Sequence, residues 1–566
     1  MTTVGLIGGG VAADAISAAI SDTDAETISI DIDAVGRVDI AVVVETVGSA
    51  AFERATKRAL EAETPLVCLE LGGIGGHPVV GVDAAISGYA PGTACYECLC
   101  DRVAAGDPET GDGAYATPMS RLAGAVAGRE LAGLVTGQES SMVGGVIELP
   151  YTQRQVLPVP YCECAEKRTK ASSGWGSEES RSLEESISLA EVAFDARVGP
   201  ITSVGELESF PVPYYLATLA DTPFSDGDAP DHAAGVGTDW DPAFMKALGE
   251  ALERYSAAVY RTAKFQTEPE TPIAPERFVT PNGNDSGRVE YWQEAEHLET
   301  GQTVQVPAEM AVFPPPERVI RPSITTGLGL GNDGHEAIRS GLYEVIERDA
   351  AMLAWYSTYK PMGLAVDDDR FETLADRAKS EGLSTTVLSL TQDIDVPVVA
   401  ACVHREGEWP RFAAGSAADL DPTAAARAAL EEAIQNWLEL KRMGQEQATE
   451  AGGAIATHAA FPSPARKFVD PETTVPAASL GPAERLQDET ETTALVERVS
   501  AVGLDAYAAR LTPRDVETMG FESARVIVPE AQPLFTGESY FGERARTVPE
   551  TLGFEPRLDR TYHPFP

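Results

Sequence analysis

The chain has 566 residues, enough for two or three domains with full cores, and 88 acidic against 43 basic residues leave it a net charge of −45. That self-repulsion excludes sequence-independent binding to nucleic acid or to an anionic membrane. No run approaches the roughly 20 apolar residues of a membrane span, and the apolar N-terminus lacks the basic region of a signal peptide.

The cations are 34 Arg against 9 Lys. Acidic excess with few lysines fits a cytoplasmic protein of an extreme halophile, where molar salt screens charge to within about 3 Å. Most carboxylates are then solvating surface.

TVGLIGGG (3–10) predicts a strand running into glycines, and VAADAISAAI continues it as a helix. TISIDID, VDIAVVVETV and PLVCLELGG predict further strands, with SAAFERATKRALEA a helix between the last two. Alternation of strand and helix predicts a doubly wound parallel sheet. Gly8, Gly10 and Ala13 fit a Gly-x-Gly-x-x-Ala dinucleotide fingerprint, with Asp31 or Asp33 where a ribose-binding acid belongs. Small residues also serve any first strand that turns into its helix.

GTACYECLCDR carries Cys95, Cys98 and Cys100, and VPYCECAEK carries Cys162 and Cys164. Cys-x-x-Cys followed by a second close pair can converge on one tetrahedral zinc through Cys95, Cys98, Cys162 and Cys164. The second pair is tighter than the usual two-residue gap, so Cys100 is an alternative ligand. Cys68 and Cys402 stand alone and read as buried thiols. Seven cysteines is an odd number and suits reduced thiols better than a disulfide framework.

Residues 166–182 are a polar Gly/Ser-rich linker, and a larger domain follows over 183–566, with Pro/Gly-rich loops at 265–288 and 460–482. Inside it GEALERYSAA (249–258) and GLYEVIERDA (341–350) each place Glu-x-x-Glu-Arg in an otherwise apolar helix. Residues three apart share a helix face. Glu250/Glu253 and Glu344/Glu347 are therefore two acid pairs, with Arg254 and Arg348 adjoining and Ser340 one turn before Glu344. ARAALEEAIQNWLEL adds Glu432 and Gln435 at the same spacing. Like charges side by side are costly without a cation between them, and magnesium bridges carboxylates to phosphate. Arginines supply planar donors to phosphate oxygens. Three such helices predict an ATP–magnesium site without a Walker loop; no Gly-x-x-x-x-Gly-Lys-Ser/Thr occurs. Taken singly, each pair reads as a solvated face.

KALGEALERYS, SITTGLGLGNDGHEAIRSGLYEVIERDA and GSAADLDPTAAARAALEEAIQ resemble the three signature blocks of YcaO-type proteins. GVIELPYTQRQVLPVPYCEC resembles the second cysteine pair of azoline-forming cyclodehydratases, VIVPEAQPLF a late strand of the same proteins, and YHPFP their proline-rich terminus. Residues 1–90, followed by the cysteine segment 91–165 with APGTACYECL, resemble the degenerate ThiF/MoeB-like portion fused ahead of YcaO in thiazole/oxazole-modified microcin machinery. The resemblance implies an N-terminal Rossmann-like sheet, a zinc-bearing segment and a larger mixed α/β domain, in an ATP-dependent enzyme that modifies a peptide backbone amide.

On that resemblance Glu250, Glu253, Glu344, Glu347 and Glu432 are magnesium ligands or their partners. Arg254, Arg348, Ser340 and Gln435 contact nucleotide or fix those ligands, and Pro566 ends a tail that points into the ATP site. ATP, Mg2+ and Zn2+ are the implied cofactors. A peptide or protein substrate, a flavin dehydrogenase or sulfur-transfer partner, and a homodimer are the implied associations. Gly235-Val236-Gly237 lacks the lysine that relatives often place there, and Ala428 stands where Arg is expected, with Arg427 adjacent. The chain begins directly at the ThiF-like strand, so a winged-helix leader-binding module is not expected. The leading expectation is azoline formation. Thioamidation, or an accessory role in thiolation, uses the same ATP site with another nucleophile. A non-catalytic peptide-binding scaffold is the alternative of another class.

Overall fold

A computed structural model of the chain describes residues 2–150, 152–165, 175, 181–281, 287–482 and 488–565. Most of the expected linker at 166–182, and Pro566, lie outside the described residues. The fold is mixed α/β, with four sheets among the described residues.

The first sheet has β1 (Thr3–Gly8), β2 (Glu26–Ser29), β3 (Ile40–Thr46), β4 (Leu66–Leu71), β5 (Ala84–Tyr89), β6 (Gly145–Leu149) and β7 (Thr152–Gln155) in the order β2-β1-β3-β4-β5-β6-β7. β1 to β4 run parallel, with α1 (Val11–Ile20) and α2 (Ala50–Ala62) as crossovers. The sheet is parallel over only these four strands. β5, β6 and β7 turn back antiparallel, which corrects the expectation of a wholly parallel sheet. The cause is the β4–β5 connection, a short glycine-rich stretch with no helix, whereas a parallel return needs a crossover. Because β6 and β7 belong to this sheet, it runs through the expected boundary at residue 90. Between β5 and β6 lie α3 (Tyr96–Ala105) and α4 (Thr117–Val135).

The fingerprint glycine Gly8 has a steric reason to be glycine. At φ +100° a Cβ there would lie 2.1 Å from the Val44 carbonyl oxygen of β3. Asp33 is paired with Arg58 of α2 at 3.1 Å.

The larger part holds α5 (Leu183–Ala190), β8 (Ile201–Glu208), β9 (Tyr214–Leu219), β10 (His232–Val236) and α6 (Trp240–Ala258). Next come β11 (Trp292–His297), β12 (Gln302–Pro307), α7 (Ala308–Ala311), β13 (Leu328–Gly331) and α8 (Gly334–Trp355). β14 (Met362–Ala365), α9 (Asp369–Ser380), β15 (Ser384–Ser389), β16 (Val398–His404), β17 (Phe412–Ala418) and α10 (Pro422–Ala451) follow. Last are β18 (Thr474–Pro476), β19 (Tyr507–Arg510) and β20 (Glu522–Ile527). The sheets are β10-β9-β8, β12-β11-β19-β20-β13 and β17-β16-β15-β14-β18. The stretch 460–482, expected as loop, contains β18 and a helix over Ser463–Phe468.

One regularity positions the site. β10, β13 and β17 are each the edge strand of a different sheet, and each leads into a glutamate helix: α6, α8 and α10. At each junction the helix backbone lies against a strand glycine. A Cβ on Gly235 would meet the Ala247 nitrogen at 2.2 Å, on Gly329 the Ala337 oxygen at 2.1 Å, and on Gly415 the Ala433 nitrogen at 2.4 Å. Only glycine permits so close an approach.

The two parts share a core. Cys98, Leu99 and Val103 of α3 pack with Leu248, Leu252 and Tyr255 of α6 and with Phe521. Burial on α8 is extensive, from Ala350 through Trp355 without interruption. The tail docks there: Thr561 accepts from the Trp355 indole at 2.8 Å, the His563 Nε2–H donates to the Phe535 carbonyl at 2.9 Å, and Phe565 is buried.

Candidate active site

α6, α8 and α10 bring five glutamates around two arginines. On α6, Arg254 lies 3.3 Å from Glu250 and 3.6 Å from Glu253. On α8, Arg348 lies 3.9 Å from Glu344 and 3.4 Å from Glu347, and it reaches Glu432 of α10 at 3.7 Å. Each helix is also tied to the backbone before it. Gly327 N–H donates to Glu344 at 2.9 Å and Ser416 N–H to Glu432 at 2.6 Å, and the Ala234 amide holds Glu250 in the same way. The Ser416 hydroxyl donates to Glu347 at 2.6 Å. These bonds fix carboxylate orientation before any ligand arrives.

The carboxylates are crowded and half-buried. Burial pushes Glu253 up to about 7, with Glu344 and Glu250 adding to it and Arg254 opposing. Glu347 is pushed up to about 8, by burial first, then by Glu432 and Glu344 against Arg348 and the Ser416 hydroxyl. Burial raises Glu250 and Glu432 as well, while Arg254 and Arg348 are held more firmly protonated by the surrounding acids. Yet the carboxylates of Glu250, Glu344 and Glu432 keep side-chain exposures of 37%, 27% and 28%. Crowded carboxylates that remain reachable suit divalent oxygen-seeking cations, which supply the positive charge that side-by-side acids lack.

The other expected residues fall differently. Gln435 lies on α10 but donates to Glu439 at 3.1 Å, and Glu439 also accepts from the Tyr214 hydroxyl. Ser340 is exposed on α8, one turn before Glu344. Val236 is buried in the apolar core, and its side chain has no donor to stand in for the lysine relatives place there. Arg427, adjacent to Ala428, pairs with Asp368, the N-cap of α9, at 3.2 Å. Sequence reading missed Lys246, which contacts Glu431 between α6 and α10, and the buried Arg525 of β20 behind Glu344 and Glu253. Neither carries a spacing signal; only the packing of three distant segments reveals them.

The cysteines form a second cluster. The sulfurs of Cys95, Cys98, Cys162 and Cys164 all lie within 4.8 Å of one another, with 3.5 Å between Cys95 and Cys162 and 3.6 Å between Cys98 and Cys164. Thiolates 2.3 Å from a tetrahedral zinc are about 3.8 Å apart, so the donor set fits that ion. Val159 N–H and Arg514 donate to Cys98 and Cys164 at 3.3 and 3.0 Å. Cys100, two residues beyond Cys98 on α3, projects from another face and lies near the Tyr96 and Glu70 side chains. It is not part of the cluster, which answers the question the tight second pair raised.

The three helices thus gather carboxylate oxygens and guanidiniums at one place on a mixed α/β scaffold. The sequence profile of the YcaO family, described as YcaO cyclodehydratase, ATP- and Mg2+-binding, matches residues 234–532. The chain belongs to that family, a family of enzymes, and the match takes in all three glutamate helices. An uncharacterized protein of Methanothermobacter thermautotrophicus is 32% identical over 252 residues, 42% of this chain and 64% of that protein. A protein described as uncharacterized in the tfuA 3′ region of Rhizobium leguminosarum is 30% identical over 20% of this chain and 30% of its own. The chain thus spans less than two thirds of the length of these curated relatives. Among solved structures, a heterocyclase in complex with substrate and cofactor superposes with a TM-score of 0.75 at 19% identity, covering 100% of this chain and 86% of that one. The heterocyclase TruD gives 0.66 at 19% identity, covering 97% and 81%. These similarities establish a shared fold. No helix among the described residues is long and apolar enough to cross a membrane.

Proposed function

We propose that the chain activates a peptide backbone amide with ATP and cyclises Cys, Ser or Thr side chains to azolines in a ribosomally made peptide. The observation that carries this reading is the convergence of Glu250, Glu253, Glu344, Glu347 and Glu432 on Arg254 and Arg348, inside the segment the family profile matches. These glutamates would hold Mg2+, which supplies charge neutralisation for the phosphates. Arg254 and Arg348 keep the carboxylates oriented, and the Gly327 and Ser416 amides hold Glu344 and Glu432 in place.

In the reaction the side-chain sulfur or oxygen attacks the amide carbon and forms a new bond. The amide oxygen then takes the terminal phosphoryl group as the bond to ADP breaks. Phosphate departs with that oxygen, the nitrogen lone pair closes C=N, and the side chain and amide give up their protons. A poor leaving group becomes a good one, and the protein contributes positioning and charge stabilisation.

Residues 1–90, whose sheet is completed by β6 and β7, serve as a ThiF/MoeB-like domain, the segment 91–165 would hold one zinc through Cys95, Cys98, Cys162 and Cys164, and 183–566 form the YcaO domain. The zinc has a structural role: Arg514 at Cys164 is followed by Asp515, which ion-pairs with Arg102 of α3 and accepts from Tyr255, next to Arg254 on α6. Substrate arrives as a peptide, with a flavin dehydrogenase downstream. The test is incubation of purified protein with Mg2+, ATP and Cys/Ser/Thr-containing peptides. Loss of one water per ring, with one phosphate released for each, is the expected result. Peptides returned unchanged while ATP is hydrolysed would refute the azoline assignment.

A further inference from the structure

Two adjoining clefts lie away from the glutamate helices, beside β7 and the cysteine cluster. The first has a volume of about 510 Å³ and runs along β7, with Thr518 of the helix Arg514–Thr518 also in its wall. In a chain with 88 acidic residues, none of the residues lining this cleft is acidic. Its one charged residue, Arg154, is already engaged by Glu148 at 2.8 Å and Asp195 at 2.7 Å. Gly92, Gly144 and Gly145 leave main chain uncovered in the wall.

β7 is the last strand of its sheet, with no strand beyond it among the described residues. Val156 N–H donates to the Gly144 carbonyl at 3.1 Å, and in the antiparallel register Arg154 and Thr152 then bond to β6 in turn. Gln153 and Gln155 therefore turn their N–H and C=O groups to the open edge. Their exposed side chains share the face opposite Arg154. Edge strands are commonly blunted by outward charge or proline, and β7 carries neither at these two positions.

The second cleft, about 210 Å³, shares Gly92, Thr93 and Ala94 with the first, so the two meet along that segment. Its walls are apolar, from Ala59, Leu60, Leu66, Tyr89 and Cys95. Thr56 also lines it, is 2% exposed, and has a hydroxyl with no partner among the described residues. The volume suits one side chain rather than a whole small molecule, which needs roughly 300–1,000 Å³. A ring that carries a hydroxyl matches both the apolar walls and the orphan group.

We propose that the two clefts dock an extended, uncharged segment of the peptide substrate, which adds as a strand to β7 and seats one tyrosine beside Thr56. This rests on the reading above that the substrate is a peptide. Main-chain bonds at Gln153 and Gln155 supply affinity, and the apolar cleft supplies selectivity. The carboxylate-free lining favours an uncharged occupant, whereas a second copy would bring a further net charge of −45. Thr518 stands on the helix whose Arg514 meets Cys164 and whose Asp515 meets Tyr255, so the docked segment touches the buried chain that ends beside Arg254.

The test is fluorescence anisotropy, without nucleotide, of a labelled short peptide of Gly, Asn and Gln around one Tyr, which holds no Cys, Ser or Thr to be modified. Wild-type protein should bind it about tenfold or more tighter than the same peptide with Ala for Tyr. Gln155→Pro removes an outward N–H without touching a bond to β6, as edge strands tolerate, and should weaken binding by about tenfold or more. Thr518→Arg, at an exposed position, should do the same by filling the cleft, and Thr56→Val should abolish any preference for Tyr over Phe. Glu347→Gln should bind the peptide like wild type. No binding by wild type, or equal binding by wild type and both cleft variants, would overturn the docking site. A peptide-free dimer that Gln155→Pro dissociates would give the β7 edge to a second copy and overturn it as well. Peptide bound as expected by protein that modifies none would refute the azoline reading and leave the docking site standing. Should Gln155→Pro not fold, Thr518→Arg and the Tyr and Ala peptides decide the matter.

Discussion

The glutamate cleft and the cysteine cluster are two ways of gathering side chains that could hold a metal. In the cleft the groups are carboxylates on three helices that follow edge strands of three sheets, interleaved with arginines and with side-chain exposures of 27–37% at Glu250, Glu344 and Glu432. In the cluster they are four sulfurs from one helix and one following segment, interlocked at 3.5–3.7 Å and held by Val159 and Arg514 from behind. The first is open and carries charge in excess of what it pairs; the second is closed. Open oxygen sites accept exchangeable cations and phosphates, and closed thiolate sites hold a fold together. What links them is a buried chain: Arg514 touches the cluster, Asp515 touches Arg102 and Tyr255, and Tyr255 adjoins Arg254.

The largest effect expected from breaking this contrast is on turnover. Glu347→Gln keeps side-chain volume and an acceptor for the Ser416 hydroxyl but removes a metal-binding charge. ATP consumption, followed as phosphate release, should fall by about 100-fold or more with melting temperature nearly unchanged. Near wild-type turnover would reduce the glutamates to decoration.

Removal of residues 563–566 comes next. It strips His563 and Phe565 from the cluster around Phe535 and Phe468, and His563 lies near enough to Arg348 for that charge to help hold its imidazole neutral, behind the larger effect of burial. Product formation should drop by about tenfold or more, while ATP affinity, read by calorimetry, stays within about threefold because the helices remain. Undiminished product would detach the tail from the site.

The cysteine cluster should behave in the opposite way. Cys95→Ala should cost about 3 kcal/mol or more of stability in a denaturant titration, and metal analysis should fall from one zinc per chain towards none. The folded fraction that survives should turn over ATP at a similar rate. Wild-type protein free of zinc would dissolve the contrast.

The smallest effect is in pH. Glu253 and Glu347 have folded-state values near 7 and 8, above the roughly 4.3 of an unfolded glutamate. A raised value means the folded state holds extra protons. The stability this gives is complete below the unfolded value and is lost as pH rises through 7 to 8. Mg2+ replaces those protons, so it should raise the melting temperature by a few degrees more at pH 8.5 than at pH 6. An equal increment at both would place the cation elsewhere.

Much of this was legible in the sequence because it is local. Glu-x-x-Glu-Arg fixes a helix face within one turn, and β1, α1 and α2 follow directly from apolar patterning and small residues. The reversal at β5 was missed because strand direction depends on whether a helix fits between Leu71 and Ala84. Gly235, Gly329 and Gly415 were present as letters, but their common role as seats for the three helices appears only when the edge strands are assembled. Arg525 reads as an ordinary strand residue, and its place behind Glu344 and Glu253 is a property of the packed interior that no spacing encodes.

The proposed role of the three glutamate helices is to bind nucleotide through metal. Calorimetric titration of ATP into the protein with Mg2+, with chelator in its place, and into Glu344→Gln tests it most directly. One ATP per chain bound with Mg2+, lost in chelator and lost in Glu344→Gln, is the predicted result. ATP binding that survives both would place the nucleotide outside the glutamate helices.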